Sequence, residues 1–338
     1  MGTTGNRIGV IGAGSWGTTL ANLLAKRGHE VTLWAYEPEL VAEMQSTREN
    51  RPFLAGIPLS PALRFTNMLQ EAVEGMSLVL FVVPSQVARG VIRGALPYLP
   101  DGVPIVSASK GVELDTLMTV SQVFEQLLPE RLYRNFAVLS GPSFAREVAQ
   151  EMPTAVVAAA QDPEIAAAVQ AAFNSSYFRV YTNDDVMGVE LGGAIKNVIA
   201  IAAGISDGLG FGYNTRAALI TRGLVEIRRL GLALGAKPAT FAGLAGMGDL
   251  VLTCTGDLSR NRTVGIKLGE GQRLNEILAE MKMVAEGVKT AESTWLLASR
   301  LGVEMPITEQ VYRILYEEKP ARVALCELMN RDLKAEDP

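Results

Sequence analysis

The chain has 338 residues, 48% hydrophobic and 20% charged, with 31 basic against 36 acidic side chains and a net charge of −5. That length favours two domains, and the acidic balance argues against nucleic acid or an anionic membrane as a general partner. Two distant cysteines, Cys254 and Cys326, exclude a disulfide framework and most cysteine-rich zinc sites, and fit a reducing, cytoplasmic setting.

Taken in order, 7–12 (RIGVIG) reads as a buried strand and 15–28 as a helix closed by a glycine. A strand follows at 30–35 and a helical pattern at 38–50. Buried strands are expected at 77–84, 103–109, 135–141, 154–160 and 178–182. Strands separated by helices predict a parallel α/β sheet. Beyond about residue 185 the strand signals nearly vanish, and helices are expected at 188–207, 215–235, 238–246, 261–269, 274–281, 288–301, 306–316 and 320–332. The reading is an α/β fold with an N-terminal Rossmann-like dinucleotide-binding sheet over 1–187 and a C-terminal all-helical domain over 188–338. The N-terminus lacks the layout of a signal peptide. No apolar run reaches about 18–20 residues without a polar break, so no integral membrane segment is expected.

Gly12, Gly14 and Gly17 stand in G-x-G-x-x-G spacing where a strand closes and a helix opens. Such a turn lets a pyrophosphate approach the backbone, with the amides near Ser15 and Trp16 at the helix start as its donors. Glu37 falls about 20 residues on, where an acidic side chain would hold the adenosine ribose, and Tyr36 beside it is suited to stack on adenine. Arg48 and Arg51 are the arginines within reach of a 2′-phosphate, so the choice between NAD and NADP stays open.

The chain holds one histidine, His29, in an expected solvated turn. A general base must then come from lysine, aspartate, glutamate or tyrosine. Lys196 sits among small and apolar residues in GGAIKNVIAIAAG, where a hydrated cation is costly unless paired or used. Ser259, Arg260 and Asn261, in LSRNRT, offer capping side chains and a guanidinium fork to a phosphate dianion.

At SKG (109–111), SGPSFAREV (140–148), GGAIKN (192–197), GLAGMGDLVLTCT (243–255) and LSRNR (258–262), the sequence resembles the NAD(P)-dependent glycerol-3-phosphate dehydrogenases of the bacterial type. The similarity runs in the family's order along nearly the whole chain. It implies reversible reduction of dihydroxyacetone phosphate to sn-glycerol 3-phosphate for glycerophospholipid synthesis, with NAD or NADP as cofactor and no metal. It implies Lys196 as the proton donor and acceptor, and Lys110 as a lysine touching cofactor and substrate. Gly141, Ser143, Asp249, Ser259, Arg260 and Asn261 match substrate contacts; Ala145, Arg260, Val284 and Glu286 match cofactor contacts. A homodimer is compatible with the resemblance. One departure stands out. The family often carries histidine or arginine after the second strand, where this chain has Tyr36 and Glu37, which speaks against a strong preference for NADP.

Two other readings fit part of the pattern. A hydroxyacid or ketopantoate-type reductase would not need Ser259–Arg260–Asn261, and a non-catalytic NAD sensor would not need both lysines.

Overall fold

In the computed structural model, which describes residues 6–281, 285–333 and 335–336, eight strands form one sheet. They are β1 (Arg7–Ile11), β2 (Glu30–Trp34), β3 (Arg64–Thr66), β4 (Leu78–Phe81), β5 (Ile105–Ser107), β6 (Phe136–Ser140), β7 (Thr154–Ala160) and β8 (Phe178–Asn183). The order is β3-β2-β1-β4-β5-β6-β7-β8. The chain runs outward from β1 to β3, then returns to lay β4 against the other side of β1. That reversal opens a crevice at the carboxyl ends of β1 and β4, where open α/β sheets bind ligands.

The sheet departs from expectation in three respects. β6 and β7 pair antiparallel, whereas every other neighbouring pair is parallel. The connection between them carries only the five-residue helix Ala145–Ala149, too little to return the chain along the sheet as a parallel crossover requires. β3 was not expected, because three residues are too few to show a period. The strands at 77–84 and 103–109 are also shorter than their apolar runs, since the runs continue into the loops that reach the crevice.

Apolar side chains cover both sheet faces. One cluster packs the helix Ser15–Lys26 and the helix Pro163–Phe173 on one side; the other packs Ser85–Ala95 and Val120–Leu127 on the opposite side. A third cluster fills the helical part around the 23-residue helix Val186–Gly208, called here the lysine helix. It is buried on nearly all faces, and small and apolar residues make up most of it, as suits a helix enclosed by others. Its length and hydropathy would suffice to cross a membrane, but 83% of that stretch is buried within the protein. Asp185 caps it, accepting from the Gly188 amide (2.9 Å) with one oxygen and from the Lys237 amide (2.8 Å) and Thr240 hydroxyl (2.6 Å) with the other.

The helix expected at 238–246 is instead a tight turn at Pro238–Ala242 and a wide turn at Leu244–Gly248, followed by the helix Asp249–Thr255. Pro238 and three closely spaced glycines break the regular pattern there. His29 is not a solvated turn residue. It is half-buried, and that burial lowers its pKa. Trp34 lies in the core, 6% exposed.

Candidate active site

The glycine turn follows from β1. Gly12 has φ +115°, a conformation that favours glycine, and a Cβ on it would run into the Val82 carbonyl just past the end of β4. A Cβ on Gly17 would strike the Gly12 carbonyl, so helix and strand touch through bare backbone. At Gly14 a Cβ would meet nothing within 4 Å, which leaves the space a pyrophosphate needs. No side chain caps the helix Ser15–Lys26, so its positive end faces that space. Asn50, which sequence reasoning missed, steadies the turn by donating to the Ala13 carbonyl and the Thr18 hydroxyl, both at 2.8 Å. The residues present therefore fit a dinucleotide.

The adenosine corner lies on the surface. Tyr36 is 77% exposed and meets Trp34 edge-on at 6.3 Å, and Glu37 is an exposed residue opening the next helix. Arg48 is spent elsewhere: it donates to the Ser60 and Leu63 carbonyls and lies 4.8 Å over Phe65. Arg51 pairs with Glu49 at 3.3 Å.

From the ends of β5 and β6 two loops converge on the lysine helix. Lys110 follows β5 and Gly141 follows β6. Lys110 Nζ donates to Asp249 Oδ2 (2.7 Å) and to the Gly141 carbonyl (3.4 Å). The same carbonyl accepts from the Ser143 hydroxyl at 2.9 Å. Lys196 Nζ donates to the other oxygen of Asp249. One carboxylate, fully buried, thus holds both ammonium groups. The Val83 amide, one residue past the Gly12 contact, donates to the Ser109 hydroxyl at 3.1 Å, which ties this cluster to the glycine turn. Thr253, a full turn after Asp249, donates to the Asp249 carbonyl at 2.6 Å and orients the carboxylate at 3.5 Å. Its helix was not expected, so the i,i+4 pairing was not visible in the sequence.

Burial lowers the Lys196 pKa from 10.5 to about 8; Asp249 opposes that fall, and Lys110 adds to it. The shift amounts to about 3 kcal/mol against the ammonium. Ser259 caps the helix Arg260–Gly269, accepting from the Arg262 amide at 3.2 Å, and Asn261 accepts from the Gly287 amide at 3.0 Å. Glu286 opens the helix Glu286–Leu301 under the fields of Arg260, Lys110 and Lys196. Burial outweighs those cations and pushes its carboxyl up to about 7. Ala145 lies against the Ser15–Lys26 helix, its carbonyl accepting from Thr19 at 3.1 Å. Val284 lies outside the described residues. Cys254 is buried nearby, its thiol pushed up to about 12 by burial, so it is no nucleophile. No cluster suited to a metal occurs among the described residues.

Two sequence profiles match this chain. The NAD-dependent glycerol-3-phosphate dehydrogenase N-terminus covers residues 7–166, and the C-terminus of the same family covers 185–326. The chain belongs to this family. A glycerol-3-phosphate dehydrogenase [NAD(P)+] of Geobacter sp. (strain M21) is 70% identical over 330 residues, 98% of each chain. The solved glycerol-3-phosphate dehydrogenase of Coxiella burnetii is 42% identical, with a TM-score of 0.93 over 97% of this chain and 100% of that one. A ketopantoate reductase from Ralstonia eutropha shares the fold alone, at 18% identity and a TM-score of 0.58 over 96% of this chain and all of that one. The family matches decide between the two reductase readings.

Proposed function

We propose that this chain interconverts dihydroxyacetone phosphate and sn-glycerol 3-phosphate with NAD or NADP, supplying glycerophospholipid synthesis. The observation that carries the proposed site is the single buried carboxylate, Asp249, holding both Lys110 and Lys196. When bound, the nicotinamide supplies or accepts the hydride. The protein must then move one proton and hold the substrate oxygen and phosphate.

Lys196 moves the proton. With a pKa near 8 it is mostly an ammonium at neutral pH, able to protonate the carbonyl oxygen during reduction. As the amine it takes the hydroxyl proton back during oxidation. Lys110 adds positive charge where the oxygen becomes alkoxide-like and lowers the Lys196 pKa, which makes the ammonium a better acid. Gly141 and Ser143 flank the substrate beside Lys110. Ser259, Arg260 and Asn261 take the phosphate at the start of their helix. Gly12, Gly14, Ser15, Trp16 and Gly17 hold the pyrophosphate, Tyr36 the adenine, and Ala145, Arg260 and Glu286 further parts of the cofactor. The chain divides near residues 185–188 into a sheet domain and a helical domain, and it works in the cytoplasm, with a homodimer as its assembly.

The test follows NADH and NADPH absorbance with dihydroxyacetone phosphate and, separately, with dihydroxyacetone. The phosphorylated ketone should react with a kcat/KM at least a hundredfold higher. Equal values would remove the phosphate site from the account.

A further inference from the structure

We propose that Arg262 is a positioning residue: clamped between Asp207 and Asp257, it sets the distance from the substrate phosphate to Lys196. The inference rests on the reading of Ser259–Arg260–Asn261 as the phosphate site. Arg262 follows that triplet directly, in the first turn of the helix Arg260–Gly269. Its side chain does not join the triplet. Nε donates to Asp207 Oδ2 at 2.8 Å, Nη2 lies 2.8 Å from the same oxygen as an ion pair, and Nη1 donates to Asp257 Oδ1 at 2.9 Å.

Asp207 lies near the end of the lysine helix, eleven residues beyond Lys196, or roughly 16 Å along the axis. Its other oxygen accepts from Arg216 Nε (3.1 Å) and Nη2 (2.6 Å). One carboxylate therefore receives two guanidinium groups, and both Asp207 and Arg262 are nearly buried, at 10% and 12% side-chain exposure.

The contact between the two helices explains why such a clamp is needed. They meet backbone to backbone: a Cβ on Gly265 would lie 2.9 Å from the Gly204 Cα, and one on Gly269 would lie 2.9 Å from the Gly208 Cα. Bare glycine surfaces fix the separation of the axes but offer no knob to resist sliding. A planar fork on a shared carboxylate does resist it. The lysine helix carries the proton-transfer group and the other helix carries the phosphate ligands, so a slide between them changes the reach from phosphate to carbonyl. Charge is not the main output of this cluster. Arg216 and Arg262 are matched by Asp207 and Asp257, leaving no net charge to draw a dianion.

Arg262→Lys keeps the charge and loses the fork. We expect its kcat for dihydroxyacetone phosphate to fall about tenfold, because the carbonyl is carried out of line with Lys196, and its KM to rise about threefold. NADH affinity, read from quenching of tryptophan fluorescence, should stay within twofold. Asp207→Asn removes the acceptor charge with little change in volume and should give the same split. The double variant should be no worse than the poorer single one, since both break one linkage. Unchanged kcat and KM in folded Arg262→Lys and Asp207→Asn would overturn the proposal. So would a loss of NADH affinity in proportion to the loss of kcat, or failure of both variants to fold, because each assigns the pair to stability alone. Arg260→Ala separates the underlying reading. If it leaves the KM unchanged, the phosphate site itself is wrong; if it raises the KM while the Arg262 and Asp207 variants keep both kcat and KM, only the clamp fails.

Discussion

Replacing Asp249 by asparagine removes one charge from the centre of the lysine pair and keeps its shape. Asp249 raises the Lys196 pKa, whereas burial and Lys110 lower it. Without the carboxylate both remaining influences act downward. Two unit charges about 4 Å apart interact by about 4 kcal/mol at an effective dielectric of about 20, a ceiling of about 3 pKa units. The asparagine dipole and entering water take back part of this, so the Lys196 pKa should fall from about 8 to roughly 6.5. At pH 7.5 the ammonium fraction then drops from about three quarters to about one tenth, roughly eightfold. Loss of geometry lowers both directions further, but it does not move the midpoint of a pH profile. The assay is kcat/KM for ketone reduction against pH. In the wild type it should fall as pH rises through about 8, because the acid form is consumed. In Asp249→Asn the same fall should come near 6.5. The stability deficit of the variant should be largest below about pH 6.5 and shrink toward pH 8, since only the buried ammonium bears the cost. A midpoint that stays at 8 or rises would refute this electrostatic assignment.

Glu37→Ser should raise the ratio of kcat/KM for NADPH to that for NADH by about tenfold, because an acidic side chain at this corner favours a free ribose hydroxyl over a 2′-phosphate. Steady-state kinetics with both cofactors checks it. Glu286→Gln should remove a titration near pH 7 from the pH profile of NADH dissociation, which fluorescence quenching measures. Gly265→Val should force the lysine helix and the Arg260 helix apart, since even a Cβ there meets the Ile201 carbonyl. A loss of 1–3 kcal/mol or more by urea unfolding is expected, at about the cost of overpacking. Glu226 accepts from the Ile307 amide (2.6 Å), the Thr308 amide (3.0 Å) and the Thr308 hydroxyl (3.0 Å). Glu226→Ala should therefore cost about 2–4 kcal/mol by the same measurement, by stranding buried donors.

Much of the site could be read from the residues because the motifs carry local physics. The glycine turn needs its strand before and its helix after, and both are written in adjacent apolar patterns. Lys196 stood out because nothing around it in the chain could pay for its charge. The resemblance marks Asp249 as a substrate contact, but what sequence hid was that its one carboxylate pairs with both Lys196 and Lys110. Asp249 lies 53 residues away on a short helix that follows a run of glycines and a proline, and no periodicity marks where that helix begins. The Thr253 bond, the Asn50 brace on the glycine turn and the Arg262 clamp are likewise contacts between distant segments or depend on that helix. The reversal at β6–β7 was hidden for another reason: strand direction depends on the path of the connection, which the strand residues do not encode.

The most direct test of the account is single-turnover reduction of dihydroxyacetone phosphate by Lys196→Met, with NADH affinity measured on the same preparation. A general acid is worth about 10²–10⁴ in rate, so the turnover step should slow by that factor while NADH binds within a few-fold of wild type. A variant that reduces the ketone within tenfold of the wild-type rate would place the proton transfer on another group.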